Sequence, residues 1–443
     1  MKKSFLADKN KKSLFFLFLT LFIDLIGFSI IFPLFPSILQ HYFHDAPGQT
    51  EWVQSILQIF VNLIESRQGN ADFLTTVLFG GLLAALYSFL QFIFAPMWGS
   101  LSDKIGRRKT LLIILSGILI AYVMWIFSGS FTILILSRIL AGSMSGNIAV
   151  VTAGIADVTD RKKRTRGMAL IGMAFGFGFL VGPALGGLLS KINLLETFPQ
   201  WAAYGINPFS IPAAVACLFT IANLFFVYFK LQETFNSPSE HIKFTINPLK
   251  KVLYTFITHS KEARITNLIN LLMITSFSSI EFSITFLARE RFDYTSAQNS
   301  LIFIYSGIVM IIGHSLIRKL SHAMSVKGFI FSGLALGIVA FTILSQSYSL
   351  WLFYFGLTLM AIATSIANPS LLTASSSLAE GHSLGKSLGA FRSAGSLARV
   401  FGPLCGAAIF FSFGIEIAYC SSATLLLAPI ILTFALPHIE QSK

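Results

Sequence analysis

Apolar residues run along this chain in long blocks parted by short polar segments. Twelve blocks stand out: 13–39, 73–98, 110–128, 131–157, 166–190, 208–230, 265–289, 297–320, 326–346, 349–372, 384–411 and 414–436. A helix needs about 20 apolar residues to cross a bilayer, so each block has the length of a span. Lipid offers the backbone no hydrogen-bond partner, which makes the spans helical. The pattern predicts an all-α integral membrane protein with twelve spans. Two segments break the rhythm. Residues 231–264 divide the spans six and six, and residues 40–72 form a long insertion after span 1. Within that insertion Val53, Ile56, Leu57, Phe60 and Ile64 fall on one helical stripe, which predicts an amphipathic surface helix over 51–67.

Composition strengthens this picture. Of 443 residues 54% are hydrophobic and only 12% charged, and 45 are Phe. A soluble protein carries about 25% charged residues, so a large soluble fold is excluded. The lysines before span 1 resemble a signal peptide, but the apolar run continues to Leu39 and lacks a small-residue cleavage site. Cys217, Cys405 and Cys420 lie inside apolar blocks without metal-ligand spacing, so neither a disulfide framework nor a metal or other cofactor is expected.

Charge then sets topology. Of the 32 Lys and Arg residues, 25 fall on the side of the N-terminus and only Arg67, Lys191, Arg289 and Arg291 on the other. That bias predicts both termini in the cytoplasm. It also accounts for the net charge of +13 without a nucleic-acid partner. The expected organisation is an N-terminal six-helix bundle (1–230, with the 40–72 insertion), a cytoplasmic linker (231–264) and a C-terminal six-helix bundle (265–443). The expected setting is a monomer in the cytoplasmic (inner) membrane, surrounded by the lipid bilayer.

The halves repeat. Shifted by 220 residues, "TRGMALIGMAFGFGFLVGPALGG" (165–187) falls on "GKSLGAFRSAGSLARVFGPLCGA", placing Gly182-Pro183 on Gly402-Pro403 and Gly186 on Gly406. A shift of six spans keeps the orientation, so the repeat is parallel. Two such bundles with a substrate site between them describe one large class of secondary transporter. Gly178, Gly182 and Gly186 recur every four residues in span 5, with Gly172 and Gly176 on an adjoining line and Gly187 beside them. Such spacing allows helices to approach closely, and Pro183 can bend the span, so this segment is expected to serve packing and hinging.

The turn between spans 2 and 3 reads "GSLSDKIGRRK", with Gly99, Asp103, Gly106, Arg107 and Arg108 in fixed order. A basic loop on the cytoplasmic side explains the cations, but not that order. The order resembles the signature loop of the major facilitator superfamily. Span 1, "DLIGFSIIFPLFP", spaces Asp24, Gly27, Pro33 and Pro36 as in the tetracycline-efflux-like branch of the drug–proton antiporters. Span 4 carries that family's arginine and glycine at Arg138 and Gly142, span 5 "GFGFLVGPALGG" looks like the antiporter signature, and span 6 ends "LQET", near the family's usual ending. The loop between spans 8 and 9 has no recognisable second copy of the motif. The resemblance implies a cytoplasmic gate in which Asp103 sits at the start of span 11 and Arg107 near Asp157, holding that side shut in the outward-open state.

Ionisable groups inside a span cost roughly 2.5–3.5 kcal/mol and are candidates for function. Asp24, Arg138, Glu281, Arg392 and Arg399 lie inside spans, and Asn147 and Gln91 could line a cavity; His314 reads as a packing residue. Carboxylate–guanidinium pairing is the structural alternative. In the resembling family, positions such as Asp24 and Arg138 serve proton coupling. Three arginines against two carboxylates leave positive charge uncompensated, which favours an anionic or zwitterionic substrate.

The expectation is a proton-coupled secondary transporter, an efflux antiporter that moves a small amphipathic, anionic or zwitterionic molecule by alternating access, with the proton gradient in place of a cofactor. The alternatives are a facilitator or symporter that imports a metabolite or siderophore, and a membrane receptor or sensor without transport. No nucleophile–base pair or metal cluster at a membrane face argues for an enzyme.

Overall fold

The structure is a computed structural model that describes residues 2–45, 55, 71–159, 164–234, 261–320, 324–378 and 384–437. The expected amphipathic helix over 51–67 lies outside the described residues, Ser55 apart, as does most of the linker. Among the described residues every regular element is helical.

Span 1 is Lys2–Ser29, continued by a 3₁₀ turn Phe32–Leu34 at Pro33, a short helix Phe35–Gln40 and a π-helical turn His41–Asp45. Spans 2 and 3 are Ala71–Ile105 and Arg107–Ile126. Span 4 is not one helix. Its first part is Phe131–Ser143 and its second is Asn147–Val158. Span 5 runs unbroken from Arg164 to Leu189 with Pro183 inside it, and span 6 is Ser210–Phe229. Spans 7 to 10 are Lys261–Phe292, Ser296–Leu320, Val326–Ser345 and Leu350–Ser377.

The last apolar stretch, Leu384–Leu425, is helical on both sides of Gly414, which alone leaves helical geometry at φ 81° and ψ 174°. Span 7 shows that the chain reverses there. Along span 7, Asn270 bonds Phe391 and Ser278 lies against Gly402, so span 11 runs parallel to it. Beyond Gly414, Ser276 and Ser279 both bond Ser422, and Lys327 at the start of span 9 reaches the carbonyls of Phe434 and Leu436. Span 12 therefore returns to the face where span 9 begins. A positive φ is open to glycine at little cost, which suits Gly414 to a one-residue turn.

The repeat is visible as two equivalent seams. In the first half, side chains built at Gly178, Gly182 and Gly186 would meet Leu25, Ser29 with the Ile26 carbonyl, and the Ile30 carbonyl of span 1. In the second, Gly402 and Gly406 face Ser278 with the Thr275 carbonyl, and Ser279, of span 7. Each seam lets backbones touch, the small-residue packing expected in lipid. Gly172 and Gly176 meet nothing within 4 Å, so the adjoining line of glycines is not part of the seam.

Glycines also join the bundles to each other. A Cβ at Gly81 would lie 2.2 Å from Ala407 and 2.7 Å from the Pro403 carbonyl, and one at Gly187 would lie 2.3 Å from Ser300. Hydrogen bonds reinforce this end: Arg289 donates to Ser37 at 3.2 Å and to Gln40, and Ser296 donates to Ser37 at 2.7 Å. All these contacts lie toward the face opposite the 99–109 loop. Toward the loop's own face, here the basic face, Met173 of span 5 and Ile311, Ile312 and His314 of span 8 are exposed. On the basic half the bundles still touch, where Arg392 of span 11 donates to Thr152 of span 4 at 2.7 Å.

Candidate functional site: a polar break in span 4 and a charged loop

At the basic face Gly106 has φ 98° and caps the start of span 3. A Cβ there would lie 2.4 Å from the Glu233 carboxylate. That carboxylate accepts from the backbone N–H of Arg107 at 2.8 Å and of Arg108 at 3.2 Å. Glu233 is thus the cap of span 3, placed where an anion meets unsatisfied N–H groups and the positive helix end. Sequence reasoning quoted this residue within "LQET" and gave it no role; only the approach of span 6 to span 3 reveals it. Arg107 is buried and bridges Asp103 at 2.5 Å and Asp157 at 2.9 Å, with Ser102 accepting a further bond. Arg108 donates to the Val227 carbonyl at 3.3 Å and to that of Tyr228. The loop therefore ties spans 2, 3, 4 and 6 of one bundle together. Asp103 pairs with Arg107 one helical turn on, and among the described residues no bond joins Asp103 to span 11. Gly99 faces Ala149 of span 4 at contact distance.

The second constellation lies midway along the N-terminal bundle, at the break in span 4. Between Ser143 and Asn147 the chain leaves the helix at Met144–Gly146. Trp98 fixes this break: its indole N–H donates to the Ser143 carbonyl at 2.7 Å, and its Cβ leaves no room for a side chain on Gly146. Ser145 accepts from Gln91 at 2.6 Å and from Tyr87 at 3.0 Å. Asn147 opens the second part of the span. It is 1% exposed, and both its polar side-chain atoms lack a hydrogen bond of good geometry, although Asp24 lies beside it.

Arg138 is buried among aromatic rings, 4.7 Å from the Trp125 centroid and 5.9 Å from that of Tyr122. It donates to Ser137 at 2.9 Å, and its Nε has no partner. No carboxylate pairs with it among the described residues; Tyr87 and Tyr122 stand within electrostatic reach of both Asp24 and Arg138. The structural alternative of Asp24–Arg138 pairing is not what this arrangement holds. Beside the break, Phe28 packs on Tyr87 at 5.0 Å and on Phe32 at 5.2 Å, and Phe32 on Phe179 at 5.5 Å and on Phe303 of span 8 at 6.2 Å. An aromatic wall thus crosses from one bundle to the other.

In the C-terminal bundle Glu281 and Arg399 are both exposed and within electrostatic reach of each other, without an ion pair. Arg392 points to the other bundle and donates to Thr152 of span 4 at 2.7 Å. His314 bonds only the Met310 carbonyl of its own helix, at 2.7 Å. Among the described residues no cluster of side chains has the makings of a metal site.

Residues 17–403 match the family described as Major Facilitator Superfamily. Major facilitator superfamily domain-containing protein 10 of Mus musculus is 30% identical over 98% of this chain and 95% of its own length. Tetracycline resistance protein, class D, of Salmonella ordonez is 29% identical over 90% of each chain. Among solved structures, that of the human organic anion transporter MFSD10 (TETRAN) superposes with a TM-score of 0.75 at 29% identity, covering 96% of this chain and 99% of that one.

Proposed function

The chain belongs to the major facilitator superfamily, and from that premise we propose that it is a proton-coupled transporter of organic anions working by alternating access. As a member it is a multi-pass membrane transporter and not an enzyme. The observation that carries the finer reading is Asp24: a carboxylate midway through the N-terminal bundle, beside Asn147 and, among the described residues, unpaired with a cation. A charge so placed is costly, and a proton is the lightest means of removing it. The name of the human relative, an organic anion transporter, supports the class of cargo, as do Arg138 and Arg392, which have no carboxylate partner among the described residues.

In this reading Asp24, Arg138, Asn147, Glu281, Arg392 and Arg399 line the path, and the aromatic wall holds the apolar part of the cargo. Gly99, Asp103, Gly106, Arg107, Arg108 and Asp157 form the gate of the basic face, which the bias of lysine and arginine places in the cytoplasm. Seams at Gly178, Gly182 and Gly186 let each bundle rock as a unit, and the protein acts as a monomer. The likeness to tetracycline resistance proteins supports outward exchange of cargo against protons. Competition between proton and cargo at one carboxylate suits a cation or zwitterion, however, whereas for an anion the two bind together.

Flux of a panel of anions and cations into inside-out vesicles, with and without a pH gradient, tests the reading. It expects anion flux that responds to the gradient, and the sign of the response separates exchange from co-movement. Anion flux indifferent to pH would overturn it.

A further inference from the structure

Among the described residues, side-chain hydrogen bonds join the two bundles in two places. At the face opposite the basic loop, Ser37 receives Arg289 and Ser296, and Gln40 receives Arg289. On the basic half the join is one bond, from Arg392 of span 11 to the Thr152 hydroxyl of span 4 at 2.7 Å. Thr152 stands five residues from Asn147 at the break and five from Asp157 at the charged loop, about 7.5 Å along the helix from either. The bond therefore crosses between the bundles partway from the middle of the molecule to its basic face. Nothing in the fold requires an arginine there. The repeat puts Gly172 at the corresponding place of span 5, and that glycine meets nothing within 4 Å. Arg399, seven residues on and so on the same face of span 11, has Glu281 within electrostatic reach. Arg392 has no carboxylate partner among the described residues. A guanidinium carries five N–H donors, and the described bond of Arg392 spends one of them on a neutral oxygen. Thr152 passes its own proton to the Ile148 carbonyl at 2.6 Å, a bond that stands with or without the arginine. The threonine gives up this contact easily, and the arginine is left under-satisfied by it.

From this geometry we infer that the Arg392–Thr152 bond is a tether between the bundles that the anionic group of the cargo displaces, so that the basic side is released when an anion is bound. The inference rests on the proposed transport of organic anions and deepens it by naming the residue pair that ties the charge of the cargo to opening. The tether uses Nη1 of Arg392, a terminal nitrogen that an end-on carboxylate also takes. A carboxylate accepts two parallel N–H bonds from one guanidinium, each charge-assisted and roughly twice as strong as a bond between neutral groups. Hydroxyl and anion thus compete for one side chain, and the anion is the stronger partner. An uncharged molecule of the same shape offers no such exchange and leaves the tether in place. Preference for anions and release of the basic side then have one cause. The opposite face is held by backbone packing at Gly81 and Gly187 as well as by hydrogen bonds, and stays shut during this step.

Binding of radiolabelled benzoate to the purified protein in detergent at constant pH tests this, with uncharged benzamide as the comparison of equal shape. Thr152→Val keeps the volume of the side chain and removes the hydroxyl. With its competitor gone, benzoate should bind this variant about threefold to tenfold more tightly than the wild type. Thr152→Ser restores a hydroxyl and should bring the affinity back toward that of the wild type. Thr342→Val is the control: it loses a hydroxyl bonded to its own helix on an exposed face of span 9, and benzoate affinity should not change. Arg392→Gln should weaken benzoate about tenfold or more. Release is read by hydrogen–deuterium exchange of peptides from residues 147–158 and 389–400. In the wild type benzoate should raise their uptake and benzamide should not; in Thr152→Val uptake should already be raised without ligand. Benzoate affinity in Thr152→Val that equals or falls below that of the wild type overturns the competition. Exchange in the wild type that is indifferent to bound benzoate overturns the release. A wild type that binds no benzoate overturns the tether as well, whereas the absence of flux for every anion of the panel overturns the transport reading beneath it.

Discussion

Replacing Gly182 by Ala tests the seam between spans 1 and 5. The added methyl would lie 2.0 Å from the Ser29 hydroxyl and 2.6 Å from the Ile26 carbonyl. Ser29 cannot simply turn aside, because its hydroxyl donates to the Leu25 carbonyl at 2.7 Å and to the Gly178 carbonyl at 3.0 Å. The Ile26 carbonyl is backbone. An ordinary carbon–oxygen contact needs roughly 3.4 Å, so the helices must part by nearly an ångström along the seam. Overpacking of this kind costs about 1–3 kcal/mol, and the Ser29–Gly178 bond, worth about 0.6 kcal/mol in a membrane, is lost with it. The gain in helix propensity from Gly to Ala, up to about 1 kcal/mol, offsets part of this. A net loss of about 0.6–2.6 kcal/mol follows. Gly176→Ala is the control, since nothing lies within 4 Å of its Cβ position; only the propensity gain remains, and stability should hold or rise. Thermal unfolding of both variants in detergent, followed by tryptophan fluorescence and by retention of the monodisperse peak, gives the comparison. Equal shifts of the same sign in the two would refute the seam as the reason for the glycines.

Three further outcomes follow from the charged groups. Asp103→Asn should insert and unfold like the wild type but transport at least tenfold more slowly, since the gate loses a charge without losing volume; wild-type flux would remove Asp103 from the gate. Glu233→Ala leaves two N–H groups at the start of span 3 without their acceptor and should destabilise the N-terminal bundle by about 1–2 kcal/mol, read as a lower unfolding midpoint. Asp24→Asn should lose accumulation driven by the pH gradient while keeping downhill flux; uphill accumulation in that variant would pass the coupling role to Glu281.

The parts of this fold set by hydrophobicity were open to reading. Apolar length alone located the spans, because lipid leaves the backbone no alternative to helix. The internal repeat also found its physical counterpart, since Gly182 and Gly402 occupy the same place in the two seams. What depended on neighbours was not readable in this way. Glu233 is an ordinary glutamate in sequence and becomes a helix cap only through the approach of span 6 to span 3. The break in span 4 did leave a signal, the run Gly142-Ser-Met-Ser-Gly-Asn147 in the middle of an apolar block. A count of apolar residues passes over it, because hydropathy averages what the backbone resolves residue by residue. The separation of Gly172 and Gly176 from the true seam shows the same limit: period 4 marks a line along a helix, and only packing tells which line is covered.

The turn at Gly414 bears on how the protein is made. Spans 11 and 12 are joined by one residue outside helical geometry, so no soluble loop has to be carried across the bilayer between them. The two helices can leave the ribosome and enter the lipid together as a closed hairpin, their polar backbone satisfied at every stage of entry. Any tag, protease site or glycan acceptor inserted at this point would have to be translocated as new cargo of the insertion machinery. Residue 414 is accordingly the place where a topology reporter would disturb what it is meant to report, and the segment 194–204, a ready-made stretch at the same face, is the better position for one.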